Sequence, residues 1–326
     1  MDFELSDDER SLADGMRRLC EGRFPMERVR AGEGRRALDT EGWSALAEAG
    51  VFSLRLADEE GGADLGTAAA AVVFEELGRA LVPGPLAATH AAAGLVKGAA
   101  TGDRPVGLLR RTPPVPGDPR PVLVGDLGSL GALLVVADDG VELVEPDAVG
   151  GAPVEGGLDP LTPLWRLEAV PRGTPVGDGP VAEALWRDFL VVEAAFLVGM
   201  AAVTSEMAVG YAKVRRQFDR PIGSFQAVKH MCADMLVRAE TARAAVHAAA
   251  VTVDQPDVGD AVRAAHGAAL LAAQAAEANA RACIQVHGGM GFTWEVPAHL
   301  YLKRAIVLWR ALGPATRLAD VVAERF

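Results

Sequence analysis

Aromatic residues are scarce in this sequence. Phe, Trp and Tyr make up only 5% of its 326 residues, although 50% of the residues are hydrophobic. The core must therefore be built mainly from Ala, Leu and Val, and Ala has the highest helix propensity of all residues. A chain of this length is too long for one small core and suits two or three packed layers. The composition favours a largely helical protein.

Cysteine is also rare, with Cys20, Cys232 and Cys283 far apart in the chain. No two of them lie at metal-ligand spacing, and an odd, dispersed set does not form a disulfide framework. We expect them to be small buried hydrophobic side chains in a reducing cytosol.

Positively charged residues are fewer than negatively charged ones, and the net charge is −12. A nucleic-acid-binding surface needs clustered Lys and Arg, so this balance argues against a nucleic-acid partner. The segment Met1–Glu4 lacks an apolar run, and we predict no signal peptide. The apolar stretch 264–276 is interrupted by His266 and Gln274, which indicates a core helix and not a membrane span. Together these features predict a cytoplasmic protein without membrane contacts.

Three regions of the chain differ in composition and in predicted secondary structure. The first is helical and begins at a capping box formed by Ser6 and Glu9. The second is rich in Pro and Gly and carries short β-branched runs, with a hairpin turn at Asp138–Gly140. We predict a mainly α protein with a small β domain, in three parts: an N-terminal helical domain (1–105), a reduced middle β domain (106–180) and a C-terminal four-helix bundle (181–326). The predicted strands are 121–124, 132–136 and 141–144, and the predicted helices include 68–81, 181–214, 224–253, 260–286 and 297–312.

The first distinctive motif is RRQFDRPIGSFQ, residues 215–226. Arg215 and Phe218 are predicted to end one helix. The Pro221–Gly223 segment would then turn the chain, and Ser224 would cap the next helix. An Arg at such a corner can hold a pyrophosphate through paired charge-assisted hydrogen bonds. The alternative is that Arg215 is a solvated helix end and Phe218 fills the core.

The second motif is QVHGGMGFTWEVP, residues 285–297. Gly288 and Gly289 can end a helix and let the backbone approach a ligand closely. Gln285 can hydrogen-bond an adenosine or phosphate oxygen. The alternative is an ordinary helix C-terminal turn. His287 is predicted to be an interior histidine, and we assign it no catalytic role.

Together the two motifs resemble the signature stretches of the acyl-CoA dehydrogenase family, with weaker support from Glu59–Gly62 and Glu75–Arg79. The resemblance implies the family's fold, with an N-terminal helical domain, a middle β domain and a C-terminal four-helix bundle. It also implies FAD as the cofactor. The family contacts the adenosine pyrophosphate half of FAD mostly across a subunit interface, through residues that match Arg215, Gln217, Phe218, Gln226, Gln285 and Gly289, with Gly288 beside them.

The family pattern breaks at the catalytic base. The usual base is a Glu near the C-terminus, and the matching position is Leu312, which has no titratable group. Pro314 replaces the Thr that would face the flavin. Some members carry the base near the start of the first bundle helix. That position falls near Phe189, and Glu193 lies one turn later in an apolar run. Burial would raise the pKa of Glu193 towards that of a general base. The alternative is a structural Glu paired with an Arg from a neighbouring helix.

The middle region lacks the family's strand and loop that meet the flavin ring and the acyl thioester. Only the short Pro-rich segment Thr112–Pro116 stands there. Contacts to a neighbour's FAD are therefore kept, while contacts to the chain's own flavin ring are lost. The resemblance implies a non-catalytic subunit that completes the FAD site of a related chain carrying the catalytic Glu. The expected assembly is a heterotetramer with two copies of each chain.

The composition is rich in Ala, Gly, Arg and Asp and poor in Lys, as in proteins from high-GC actinobacteria. With its short length, the chain resembles the steroid side-chain acyl-CoA dehydrogenases of those bacteria. This implies oxidation of a bulky acyl-CoA to its trans-2-enoyl-CoA. Two alternatives stay open. The chain could be a self-sufficient homo-oligomeric dehydrogenase that uses Glu193, or a degenerate, non-enzymatic member that binds acyl-CoA or a partner.

Overall fold

The computed structural model describes residues 5–111 and 121–326, so Met1–Glu4 and the Pro-rich segment Thr112–Pro116 lie outside the described residues. Helices come first, short strands follow, and long helices end the chain. The elements are α1 (Asp7–Arg23), α2 (Met26–Ala31), α3 (Thr40–Glu48), α4 (Thr67–Arg79), α5 (Leu86–Ala91), β1 (Val106–Arg110), β2 (Val122–Gly125), β3 (Ala132–Ala137), β4 (Gly140–Val144), β5 (Gly151–Pro153), β6 (Leu164–Leu167), β7 (Thr174–Asp178), α6 (Gly179–Val214), β8 (Arg216–Gln217), β9 (Arg220–Pro221), α7 (Gln226–Asp254), α8 (Ala261–His287), α9 (Ala298–Leu312) and α10 (Ala315–Glu324).

Contacts divide the chain into two compact units. The first contains Met1–Met26, Ala71–Val82 and Leu190–Phe326, and the second contains Glu27–Ala70 and Pro83–Phe189. The division into three domains near residues 105 and 180 stays a prediction.

The second unit contains two small sheets. One has the strand order β1-β3-β4-β7, in which β1 runs parallel to β3 and the other pairs are antiparallel. The other has the order β2-β6-β5. The predicted hairpin is confirmed, because Ala137 pairs with Gly140 across the β3–β4 turn. The sheets share an apolar core that includes Val124, Leu133 and Leu167.

The first unit contains α6 from Leu190 onwards, and this helix is apolar enough and long enough to cross a membrane. Yet 89% of its most apolar window is buried, as in the core helix of a packed bundle. The helix α4 crosses α6 with backbone against backbone at two glycines. A Cβ on Gly78 would lie 1.9 Å from the Phe196 carbonyl oxygen, and a Cβ on Gly199 would lie 1.9 Å from the Glu75 carbonyl oxygen.

The helices α7, α9 and α10 pack against α8, and α8 also contacts α6. The buried Asn279 side chain ties three of them together, since its Nδ2 donates to the carbonyl oxygens of Ala201 (3.1 Å) and Met235 (2.8 Å). The late helices match their predicted bounds to within two residues, but α10 was not predicted. Cys20 and Cys283 are buried as expected, whereas Cys232 is only partly buried.

Two local predictions in this unit differ in outcome. The capping box is confirmed: the Glu9 amide donates to Ser6 Oγ (3.2 Å), and the Ser6 amide donates to Glu9 Oε2 (2.8 Å). The cap at Ser224 is wrong. Helix α7 begins at Gln226 with Phe225 in the cap position and no side-chain cap, because Ser224 belongs to a separate 3-10 turn.

Candidate functional site

The two sequence motifs meet at one end of the bundle, where α6 ends, α7 begins, α8 ends and α9 begins. A shared apolar cluster holds these ends together. Its buried members include Ala212 of α6, Met235 of α7, Ile284 of α8 and Ala298 of α9, and Ile222 of the first motif packs against it.

The first motif forms a tight hairpin directly after α6. The helix ends at Val214, as the predicted range 181–214 has it, so Arg215 follows the helix directly and Phe218 lies beyond its end. The Ile222 amide donates to the Arg215 carbonyl oxygen (2.8 Å) and closes the hairpin. Its turn residues Phe218 and Asp219 have φ angles of +52° and +63°. This left-handed conformation costs roughly 1–2 kcal/mol for a residue other than glycine.

That turn sends Phe218 outward, with 85% of the residue exposed. The alternative that Phe218 fills the core is therefore wrong. Its ring lies edge-on to Phe225 with centroids 6.0 Å apart, and the Arg220 guanidinium lies 4.1 Å from the centre of the Phe225 ring. The hairpin thus presents aromatic faces and cationic groups to solvent.

Arg215 differs from its neighbours in having an available guanidinium. Arg216 donates to the Asp219 carbonyl oxygen within the hairpin, and Gln217 Nε2 donates to the Arg216 carbonyl oxygen (2.8 Å). Arg215 is exposed, and across residues 5–111 and 121–326 its side chain has no hydrogen-bond or ion-pair partner. The side chain of Gln226, at the start of α7, is exposed as well.

The glycines of the second motif differ in the space around their backbone: two are open to solvent and one is closely packed. Helix α8 ends at His287, and Gly288 follows with φ +60°. A Cβ at Gly288 or Gly289 would meet no atom within 4 Å, so the backbone there is open to an approaching group. A Cβ at Gly291 would lie 2.5 Å from the Ile284 carbonyl oxygen, so this glycine serves packing. Gln285 is exposed on the last turn of α8.

His287 is an interior histidine, as predicted. Its Nδ1–H donates to the Cys283 carbonyl oxygen (2.8 Å), and its ring stacks on Tyr211 with centroids 4.2 Å apart. It thereby connects the end of α8 to the end of α6.

The position predicted for the family's usual base carries no titratable group. Leu312 is the last residue of α9 and only 2% exposed, and Pro314 precedes α10. Since α9 begins at the motif end and has 15 residues, Leu312 lies about 20 Å further along the helix axis. The described residues also contain no cluster of three His, Cys, Asp or Glu side chains that could hold a metal ion.

Glu193 lies on α6, also far from the motif end. At 1.5 Å per residue it is about 32 Å along the helix from Val214. Burial raises the pKa of Glu193 to about 7, and the positive charge of buried Arg304 on α9 opposes this rise. No side-chain hydrogen bond of Glu193 occurs within the part of the chain that the structure describes. The positive charge of Arg304 acts on Glu193, so both interpretations of Glu193, general base and structural partner of an Arg, stay predictions.

Arg304 was missed by the sequence analysis. The sequence feature that could have revealed it is a charged residue on the buried face of α9, where Leu300, Tyr301 and Ala305 are its apolar neighbours. The left-handed turn at Phe218 and Asp219 was missed too, because Phe is unusual in such turns, although Asp is common there.

Comparison with known proteins identifies this arrangement. Residues 6–101 match the acyl-CoA dehydrogenase N-terminal domain, and residues 190–326 match the acyl-CoA dehydrogenase C-terminal domain. The chain belongs to the acyl-CoA dehydrogenase family. Acyl-CoA dehydrogenase IpdE2 of Mycolicibacterium smegmatis is 34% identical over 329 residues, which cover 99% of this chain and 100% of IpdE2.

Acyl-CoA dehydrogenase FadE34 of Mycobacterium tuberculosis is 39% identical over 293 residues, which cover 84% of this chain. The chain spans only 40% of FadE34's length.

Solved structures of this acyl-CoA dehydrogenase fold agree with the family assignment. The ChsE4–ChsE5 complex from Mycobacterium tuberculosis matches with a TM-score of 0.84 and 26% identity, covering 99% of this chain and 98% of that one. A variant of the Tcur3481–Tcur3483 steroid ACAD matches with a TM-score of 0.80 and 26% identity, covering 98% of each chain. PigA, 20% identical with a TM-score of 0.79, shares the fold and was solved with FAD; the match covers 99% of this chain and 98% of PigA. The predicted family and fold are confirmed, as is FAD as the family's cofactor.

Proposed function

We propose that this chain is the non-catalytic subunit of an FAD-dependent acyl-CoA dehydrogenase and completes the FAD site of a related chain. One observation carries the proposal. The groups suited to the outer half of FAD are exposed and available around Arg215 and Gly288, whereas the family's base position is the buried aliphatic Leu312.

The residues at the motif end fit FAD. The Arg215 guanidinium suits a pyrophosphate by two parallel charge-assisted hydrogen bonds. The exposed Phe218 ring offers an apolar face to the adenosine, and the open backbone at Gly288 and Gly289 admits a close approach. Gln217, Gln226 and Gln285 add amide donors and acceptors. Bound FAD supplies the oxidation, by accepting a hydride from the acyl-CoA.

A proton must also leave the acyl-CoA, and this chain lacks the usual group to take it. Leu312 cannot accept a proton, so the partner chain supplies the carboxylate. The distance along the bundle supports the same division, because the motif end is about 20–30 Å from both candidate base positions. The chain binds and orients the cofactor, and the partner holds the reacting atoms.

The partner is a related acyl-CoA dehydrogenase chain, with two copies of each in the complete assembly. The likeness to the ChsE4–ChsE5 complex and to a steroid ACAD built from Tcur3481 and Tcur3483 supports this. FadE34 has 60% of its length outside the match, which leaves room for a second module in one chain. A bulky steroid side-chain thioester is the proposed substrate, oxidised to its trans-2-enoyl-CoA in the cytoplasm.

A second candidate is a self-sufficient dehydrogenase in which Glu193 is the base. The buried carboxyl group of Glu193, with its pKa near 7, favours this candidate, since a general base works best near the operating pH. The Glu193→Gln variant separates the two. Full turnover of the mixed complex with this variant excludes Glu193 as the base, and loss of turnover with FAD still bound would establish it.

The test of the main proposal is purification of this chain alone and with a related dehydrogenase chain that has the catalytic Glu. We expect flavin absorbance and acyl-CoA oxidation only in the mixed complex. Stoichiometric flavin and turnover in the chain alone would support the second candidate. An active mixed complex in which this chain takes no part in flavin binding would indicate a degenerate partner-binding member.

A further inference from the structure

The hairpin of the first motif and the two helix ends beside it carry a cluster of positive charges, which we call the hairpin patch. Its members are Lys213, Arg215, Arg216, Arg220 and Lys229. Asp219 is the only acidic residue between Lys213 and Lys229 in the sequence, so this segment has a net charge of +4, whereas the rest of the chain has −16. The patch is therefore a positive region on a strongly negative protein.

The two lysines of the patch lie just before and just after the hairpin, on separate helices. Lys213 lies in the last turn of α6, and Lys229 lies in the first turn of α7. The chain between them packs on the end of α6, because a Cβ on Gly223 would lie 2.9 Å from the Ala212 carbonyl oxygen. The fold thus holds both helix ends, with their lysines, at the base of the hairpin.

Neighbouring side chains do not neutralise these lysines. Lys213 and Lys229 are exposed, and within residues 5–111 and 121–326 neither ammonium group has a hydrogen-bond or ion-pair partner. Other cations of the same unit are neutralised: Arg17 Nη2, for example, lies 2.7 Å from Glu76 Oε1. The two ammonium groups therefore keep their full charge at the surface, on flexible side chains.

The arginines of the patch differ in what they contact. Arg216 donates to the Asp219 carbonyl oxygen, and the Arg220 guanidinium lies 4.1 Å from the centre of the Phe225 ring. Both contacts are made to neutral groups, so they fix the two guanidinium groups in place without cancelling their charge. Arg215 has no such contact and can bind a pyrophosphate directly. The patch thus carries more positive charge than this one contact uses.

We propose that Lys213 and Lys229, together with Arg216 and Arg220, steer FAD towards Arg215 and so set the rate at which FAD associates. The inference rests on the proposed function, in which Arg215 binds the pyrophosphate of FAD. Charges of one sign around a site raise the association rate of an oppositely charged ligand by about 10- to 1,000-fold. The anionic FAD is attracted by the hairpin patch and repelled by the net negative charge of the rest of the chain.

Steering differs from direct binding in its kinetics. A charge at the edge of a site changes the association rate and its salt dependence, whereas a charge that bonds to the ligand also changes the dissociation rate. The lysines and Arg215 are therefore expected to act on different rate constants. Lys213 and Lys229 should act on association, and Arg215 should act on dissociation.

The test is stopped-flow measurement of FAD binding to the flavin-free mixed complex, followed by flavin fluorescence. Lys213→Gln with Lys229→Gln removes two charges and keeps polar side chains. We expect its association rate constant to fall by about 3- to 10-fold at low salt, with an unchanged dissociation rate constant. The difference should vanish near 1 M salt, where the screening length is about 3 Å. Lys213→Glu with Lys229→Glu should slow association further.

The matched control is Arg18→Gln with Lys97→Gln. It removes the same net charge at two exposed positions outside the patch, so it should keep the association rate close to that of the unchanged complex. Equal association rates in the Lys213/Lys229 variant and in this control would overturn the proposal. Faster dissociation with unchanged association would also overturn it, because the lysines would then bond to FAD directly.

A second measurement excludes a protein partner as the target of the patch. Light scattering follows the association of this chain with the related chain in the same variants. Slower chain association with unchanged FAD association would overturn the proposal and indicate an acidic protein surface as the partner. If steering alone is wrong, Arg215→Ala still weakens FAD binding; if the proposed function is wrong, Arg215→Ala leaves FAD binding unchanged, so the two failures are distinguishable.

Discussion

Tyr211 and His287 stack with their ring centroids 4.2 Å apart, at an angle of 24°. Tyr211 lies in the last turn of α6 just before the hairpin, and His287 is the last residue of α8 just before the glycine turn. This contact fixes the spacing between the two segments that carry the candidate FAD contacts.

We expect Tyr211→Ala to destabilise the chain by about 2 kcal/mol, because a partly buried ring and its stacking contact are lost. Tyr211→Phe keeps the ring and should be close to neutral. Urea denaturation of both variants measures the difference. Equal stability of Tyr211→Ala and the unchanged chain would show that the contact contributes nothing.

The crossing of α4 and α6 depends on Gly199. Adding a Cβ there would force it to within 1.9 Å of the Glu75 carbonyl oxygen, so Gly199→Ala must separate the helices and should cost about 3 kcal/mol or prevent folding. Gly210→Ala on the same helix meets nothing within 4 Å and should stabilise by about 0.5–1 kcal/mol. The two melting temperatures should therefore move in opposite directions.

The turn at Asp219 carries backbone strain in a residue other than glycine. Asp219→Gly should relieve it and stabilise the chain by up to about 1 kcal/mol, whereas Asp219→Val should destabilise it by about 1–2 kcal/mol. Thermal unfolding measures both. A loss of stability in Asp219→Gly would mean that the aspartate side chain, and not its backbone, matters in this turn.

The raised pKa of Glu193 predicts that the free energy of unfolding depends on pH. The pKa of Glu193 is raised on folding from 4.5 to about 7, so the folded state retains a proton that the unfolded state releases. The retained proton adds to the free energy of unfolding. This addition is full below about pH 4.5, declines as the pH rises towards 7 and is lost above pH 7. The free energy of unfolding therefore falls by about 3 kcal/mol over this range. Glu193→Gln should remove that decline. Denaturation at pH 5 and pH 8 compares the two chains, and parallel pH profiles would contradict the assigned burial effect.

Much of the helical framework could be predicted from the sequence. The Ser6–Glu9 capping box marks the start of α1, and long Pro-free apolar segments mark the late helices. The strands β6 and β7 were missed because Trp165 and Arg166 are only partly buried or exposed, and Pro175 interrupts the second run. Such strands lack the regular alternation on which prediction depends.

The candidate residues of the site could be named from the sequence, but their geometry could not. The motifs named Arg215 and Gly288, yet no local pattern shows that Phe218 takes a left-handed conformation and projects into solvent. The approach of Arg304 to Glu193 joins distant helices, and it emerges only when the bundle packs.

The central claim is that Arg215 holds FAD whose reacting ring belongs to another chain. The most direct measurement is the ratio of FAD absorbance to protein, and the FAD dissociation constant, in mixed complexes that contain Arg215→Ala. Hydrogen bonds to charged groups contribute roughly 1.5–3 kcal/mol, so FAD affinity should fall by about 10- to 100-fold while the chain stays folded and paired. The control is Arg18→Ala, at an exposed arginine of α1 outside the site, which should keep full FAD content. Tight FAD binding at full occupancy in the Arg215→Ala complex would contradict the account.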